Sequence, residues 1–276
     1  GGASVAAPVA EIADKNRDGI TVVTEGLAHL AFMERGIPIF FQGTPIFNEV
    51  SFTLECDELL FRVKPDVVIA TEGGPINLEE SVGHAANRAG IPLVFLEDTQ
   101  GGFVRSGAYP DAIITVDDCG ARLAKERYGE IPIWVAGNPG VPTHQEVEEM
   151  TNCALHDFRA HGTRTYAFVG GDADSTGEQL ELLKECLVIT EGDWVLIPRF
   201  HPKWVKVTDP ASGKTYGTLW TEMLLPLCDR IVHDPVGDGR KLVASADVSL
   251  ADPSNLLTTA VFFFKTSVFL ETPAVM

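Results

Sequence analysis

The sequence predicts an α/β protein of two domains, each built on a parallel sheet. Two observations predict it. Short β-branched runs alternate with amphipathic runs along almost all of the 276 residues, which is the pattern of βαβ units. A Gly- and Pro-rich stretch, "AGNPGVPTHQEVEE" at 136–149, interrupts that alternation once, and the alternation restarts after it. The expected domains are 1–138 and 139–276.

In chain order, "GITVVTEG" (19–26), "IPIFF" (37–41), "PDVVIATEGG" (65–74), "IPLVFLED" (91–98), "DAIITVDD" (111–118) and "IPIWVAGN" (131–138) read as buried parallel strands. Helical patterns fit between most of them. In "INLEESVGHAANRAG" (76–90), Leu78, Val82, Ala85, Ala86 and Ala89 share a face, and Gly90 stands where a helix stop belongs. Thr143 and Glu146 form a capping box after the boundary. The second set of strands is "TYAFVGG" (165–171), "WVLIP" (194–198), "DRIVHD" (229–234), "ADVSLAD" (246–252) and "TSVFLE" (266–271). The opening "GGASVAAPVAEIA" reads as a glycine turn entering a helix with no strand before it, and the chain stops just after a strand. Segments are expected to be missing at both ends.

Composition narrows the function. A net charge of −18 argues against sequence-independent nucleic-acid binding, which needs a basic face, and against docking on anionic membranes. A small anionic ligand is still compatible with local basic groups. Five scattered cysteines with no C-x-x-C pair indicate neither a zinc site nor a disulfide framework and fit a reducing, cytoplasmic setting. The apolar run "AVFFFKTSVFL" is broken by Lys265 and Thr266, so no membrane insertion is expected. H-E-x-x-H and G-x-S-x-G do not occur, and no metal is expected.

In parallel sheets, ligands bind at the carboxyl ends of the strands. The candidate residues stand there. Gly1 and Gly2 precede a helix and would let backbone N–H groups approach an anion, or they are loop glycines. Glu72, followed by Gly73 and Gly74, is a base or a sugar-hydroxyl acceptor, or a carboxylate answering a helix dipole. Glu97 and Asp98 end the next strand and can divide acid and base roles, or one of them caps a turn. Gly170 and Gly171 lead into a helix whose free N–H groups could face a phosphate, or Ser175 with Glu178, or Thr176 with Gln179, supplies an ordinary capping box. Asp252, Ser254 and Asn255 bring hydroxyl and amide groups to a helix start that suits a phosphate or a sugar hydroxyl, or Ser254 is an ordinary N-cap.

The segment "WVLIPRFHPKW" (194–204) carries the strongest signal. Arg199 and His201 share a face if the extended form continues, Phe200 anchors the other face, and Pro198 and Pro202 argue against a continuing central strand. A guanidinium suits bidentate phosphate recognition, and a histidine beside it can donate to an anion or move a proton. Pairing of Arg199 with a structural carboxylate between the domains is the alternative.

These residues resemble a family. "KPDVVIATEGG" with "AANRAGIPLVFLED", "VAGNPGV", "IPRFHP" and "ADVSLADPSNLLTTAVFFFKTSVFLETPAV" resemble, over most of the chain but remotely, segments of the GT-B glycosyltransferase superfamily, including UDP-GlcNAc 2-epimerases. The resemblance implies two Rossmann-like domains facing a cleft, with the sugar or acceptor on the first and the nucleotide diphosphate on the second. It places Glu72, Glu97 and His201 at the family's catalytic positions, with Asp98 beside them. It departs from the family at Pro253, Ser254 and Asn255 and at Thr259 and Ala260, where the ribose-holding glutamate is missing.

Three functions follow from this reading. The first is a nucleotide-sugar-dependent glycosyltransferase with the diphosphate near Arg199, His201, Ser254 and Asn255. The second is a sugar-nucleotide epimerase. The third, which the missing glutamate favours, is a non-catalytic binding or scaffold protein. The nucleotide sugar is a substrate and no cofactor is implied; a homo-oligomer is left open.

Overall fold

A computed structural model describes residues 2–25, 28–43, 49–71, 78–98, 101–145, 147–149, 155–171, 173–234, 238–251 and 255–270. The chain divides into two compact units, Gly1–Gly140 and Val141–Met276.

Unit 1 runs α1 (Gly2–Lys15), β1 (Val22–Glu25), α2 (His29–Met33), β2 (Ile39–Gly43), α3 (Glu49–Val63), β3 (Val68–Thr71), α4 (Leu78–Ala89), β4 (Leu93–Leu96), β5 (Ala112–Thr115), α5 (Asp118–Tyr128) and β6 (Ile133–Val135). Among the described residues β1 and β2 pair with each other, and β3-β4-β5-β6 form a second ladder. Both are parallel throughout. The strands are shorter than the apolar runs because flanking Pro, Gly and Asp residues belong to the turns. Gly90 takes φ +67° and stops α4 as expected. The helix buries Leu78, Ser81, Ala85 and Ala86, whereas Ala89 is exposed. Leu93, Phe103 and Ile113 are wholly enclosed, each side chain worth about 1.5–3 kcal/mol of burial. The Asp111 carboxylate accepts from the Leu93 N–H at 2.8 Å, tying the start of β4 to that of β5.

Unit 2 runs α6 (His156–Ala160), β7 (Arg164–Gly170), α7 (Ala173–Val188), β8 (Trp194–Phe200), α8 (Pro202–Val205), α9 (Tyr216–Leu224), α10 (Gly239–Ser245), β9 (Val248–Ala251), α11 (Asn255–Phe262) and β10 (Thr266–Phe269). Its parallel sheet has the order β10-β9-β7-β8. Asp247 fixes the register of β9 on β7, accepting from the Thr165 N–H at 2.9 Å and the Thr165 hydroxyl at 2.8 Å. β8 lies at the edge, where its Pro198 is tolerated opposite Phe168. The Phe200 ring turns inward as expected and packs on Phe168 and Trp220, with centroids 6.3 and 4.9 Å away.

Two local expectations are corrected. The run 229–234 is not a strand: Leu225–Arg230 is a 3-10 helix, and Ile231 makes only an isolated bridge to Leu196. Pro226 presets a helical φ at the start of that turn. Ser175 and Thr176 do not cap α7, because the helix already includes Ala173. Both are buried inside its first turns. Glu146 of the capping box at Thr143 lies outside the described residues.

Candidate active site

In unit 2 the polar residues gather at the carboxyl ends of β7 and β8. The chain leaves β8 at Phe200 and turns at once into α8, with Pro202 as that helix's first residue. The His201 N–H donates to the Gly170 carbonyl at 2.9 Å, so the last pair of the ladder holds His201 beside the Gly170–Gly171 turn. His201 itself is exposed. Gly170 must be glycine, since a Cβ there would lie 2.7 Å from the Thr176 methyl and 3.2 Å from the Phe200 ring. The strand end therefore sits directly under the first turns of α7.

Arg199 is half-buried and pairs through Nη1 with an Asp234 carboxylate oxygen. Asp234 belongs to the same unit. The guanidinium stem lies over the start of α10: a Cβ on Gly239 would come within 3.1 Å of Arg199 Nε. Asp238 caps that helix, accepting from the Arg240 N–H at 2.8 Å and from Lys241. Burial pushes its carboxyl up, yet the Arg240 charge and the two N–H groups together hold it below its ordinary range. Arg199 and Asp234 thus form one ion pair and Arg240 and Asp238 another, at the helix start that the Arg199 stem approaches at Gly239. Asn255 opens α11 at the end of β9. Asp252 and Ser254 lie outside the described residues.

In unit 1, Glu72 and Gly1 lie outside the described residues. Gly2 begins α1 against Thr71, the last residue of β3, and a Cβ on Gly2 would fall 2.1 Å from the Thr71 hydroxyl oxygen. Glu97 follows β4 and is only 1% exposed. Its Oε1 accepts from the Gly101 N–H at 2.8 Å and its Oε2 from the Val116 N–H at 2.7 Å. Gly120, in the first turn of α5, leaves the room: a Cβ there would be 2.2 Å from Oε2. Burial raises the Glu97 carboxyl above its ordinary value; the two backbone donors oppose the rise, and the charges of Asp117 and Asp98 add to it. Asp98, next to it, is 9% exposed.

The described candidates thus gather within each unit. Gly170, Arg199 and His201 meet at one strand end in unit 2, and Glu97 with Asp98 at another in unit 1. Sequence reasoning missed Asp234, Gly120 and Asp238. The first is an ordinary loop aspartate 35 residues from its partner. The other two carried local signals, Asp117-x-x-Gly120 and Asp238 ahead of Gly239, both of which are helix starts. A separate surface hollow of about 460 Å³ in unit 2 is lined by Ala173, Gly177, Asp209, Tyr216, Trp220 and Glu222 among others. Its lining includes none of the candidate residues.

No protein-family model and no curated protein matches the chain in sequence. Solved structures match it in fold. MnaA of S. aureus, solved with UDP, superposes with a TM-score of 0.71 at 15% identity, over 98% of this chain and 76% of that one. The UDP-GlcNAc 2-epimerase of Neisseria meningitidis, bound to UDP-GlcNAc, gives 0.69 at 13% identity over 98% and 80%. A glycotransferase of kitacinnamycin gives 0.57 at 11% identity over 98% and 77%. At these identities the likeness establishes architecture alone: the chain has the GT-B-like fold that these structures share.

Proposed function

We propose that the chain binds a nucleotide sugar through the strand ends of unit 2 and uses it as a glycosyl donor. The observation that carries this reading is the end of β8, where a half-buried guanidinium and an exposed histidine stand beside a glycine turn. Arg199, His201, Gly170 and Gly171, with Asp252, Ser254 and Asn255, would bind the diphosphate. In the transfer, the bond from the anomeric carbon to the diphosphate oxygen breaks and its electron pair leaves with the diphosphate. Arg199 stabilises that charge. The acceptor oxygen bonds to the anomeric carbon and gives its proton to a carboxylate, for which Glu72, Glu97 and Asp98 are the candidates. The fold neighbours solved with UDP and with UDP-GlcNAc support the ligand class.

The test is calorimetric titration of UDP-, CDP- and GDP-sugars. Removing Arg199 alone strands the Asp234 charge, so Arg199→Ala is compared with the double variant Arg199→Ala/Asp234→Asn. Both should weaken binding at least about tenfold, the loss of one charge-assisted contact. Unchanged affinity in the folded double variant rejects the role of Arg199, and the absence of binding to every sugar nucleotide favours a non-catalytic scaffold.

A second reading, epimerisation of the sugar nucleotide, is supported by the fold neighbours that are UDP-GlcNAc 2-epimerases, one of them solved with UDP-GlcNAc. NMR in deuterated water separates the two readings. Epimerisation exchanges the proton at the inverted carbon for deuterium, and transfer leaves every carbon-bound proton in place.

A further inference from the structure

The hollow of about 460 Å³ in unit 2 shares no lining residue with the site proposed above, and its size is that of a small-molecule pocket. Two helix faces build it. α7 turns Ala173 and Gly177 towards it, one turn apart. Neither puts a long side chain into the space, and a Cβ on Gly177 would meet no atom within 4 Å. α9 supplies the wall, where Tyr216, Leu219, Trp220 and Met223 recur at helical spacing and all line the hollow.

The wall is fixed before any guest arrives. The Trp220 ring rests on Phe200 with centroids 4.9 Å apart, Tyr216 lies 5.6 Å from Trp220 at 30°, and Trp204 meets Tyr216 edge-on at 85°. Such a wall spares a ligand the cost of ordering side chains. The charge around it has one dominant sign. The lining includes Asp209 and Glu222 and, among the described residues, no basic group. Asp209 stands in the loop that the Thr208–Thr215 bridge closes. Bonds from the Ser212 hydroxyl and the Ser212 N–H, with a further one from the Ala211 N–H, hold its carboxyl below its ordinary range, so it is ionised at neutral pH. Glu222 is exposed, and both of its oxygens accept from Lys214 Nζ at 2.8 Å. With Lys214 spent on Glu222, the charge of Asp209 is left over.

We propose that this hollow binds a small organic cation, an ammonium or guanidinium carried on a flat apolar body. The body enters between α7 and α9 against Tyr216 and Met223, and the cation lies at Asp209 and Glu222. An anion is repelled by both carboxylates and by a chain of charge −18. A neutral guest gains burial alone, whereas a cation also gains the aromatic ring and the carboxylates. The ligand is opposite in charge to a sugar nucleotide, and the inference is independent of the proposed function.

The experiment titrates the full chain with tryptamine (a cation), tryptophol (neutral) and indole-3-propionate (an anion), following the Met223 methyl by NMR. Tryptamine should bind at least about tenfold more tightly than tryptophol, and the anion more weakly than either. That preference should shrink as salt rises from about 10 to about 150 mM. Gly177→Leu fills the space at a helical position that favours leucine over glycine. It should fold with a midpoint no lower than the parent's and lose tryptamine. Lys214→Met removes the competing cation and should tighten tryptamine about threefold, and Glu222→Gln should weaken it by about as much. Equal affinities for tryptophol and tryptamine would mean a merely apolar cleft and overturn the proposal. So would a Met223 methyl that does not respond to tryptamine, a folded Gly177→Leu variant that binds as the parent does, or Lys214→Met and Glu222→Gln variants that shift affinity in the same direction.

Discussion

Thr24 and Glu97 are two buried polar side chains in opposite states. Thr24 keeps a hydroxyl with nothing to bond, so Thr24→Val exchanges an unsatisfied group for a methyl of similar shape. Chemical denaturation should find the variant equal to the parent or more stable by up to about 1 kcal/mol. Glu97 has both carboxylate oxygens bonded to backbone N–H groups. Glu97→Gln turns an amide N–H₂ towards one of those donors and should cost about 1–3 kcal/mol at neutral pH. The pH dependence has a fixed sign. The unfolded chain releases the Glu97 proton near the ordinary value of 4.5, and the native state releases it at higher pH. Between those two points the native state holds more protons, so stability falls as pH rises through the window. In the Gln variant that part of the fall disappears, and denaturation midpoints measured from pH 4 upward should follow a flatter curve. An identical slope in both proteins would show that Glu97 titrates alike folded and unfolded.

At the scale of elements, β7 ends in a tight fit beneath α7. Gly170→Ala would drive a methyl to 2.7 Å from Thr176. Helix and strand must then separate, at a cost of about 1–3 kcal/mol. Because the Gly170 carbonyl also holds the His201 N–H, nucleotide-sugar affinity should fall with stability; a loss of stability with unchanged affinity would detach His201 from the site. The elements themselves were legible in the sequence. "PDVVIATEGG" and "IPLVFLED" announced β3 and β4 because short, mostly apolar cores stood between turn formers. "DRIVHD" misled because Ile231 and Val232 have strand character, yet Pro226 had already committed the preceding turn to a helix. The polar end of β8 was readable because charge after an apolar run breaks the pattern locally. Its partner Asp234 was not, since the fold alone brings it back across 35 residues. The enclosure of Glu97 was hidden for another reason: its donors are backbone groups of Gly101 and Val116, which any residue type but proline carries.

Across the whole molecule, charge sets the conditions of any encounter. A chain of −18 repels an anionic sugar nucleotide at distance, while Arg199 attracts it only at contact. Salt screens charges beyond about 10 Å at 0.1 M. The association rate of a UDP-sugar should therefore rise between 10 and about 150 mM salt, the reverse of a basic binder, and stopped-flow mixing would record it. The same screening relieves self-repulsion, so the unfolding midpoint should rise over that range. A midpoint that falls instead would mean that local ion pairs such as Arg199–Asp234 outweigh the net charge.

Pro198 has a consequence outside the molecule. It stands within an edge strand, where it interrupts the outward row of N–H donors, and the bridge from Ile231 to Leu196 occupies the adjoining positions. A foreign strand drifting against this side finds no unbroken row to join. That flank is therefore a poor template for strand addition, and the proline that steers the chain towards its polar turn also disfavours edge-to-edge pairing there.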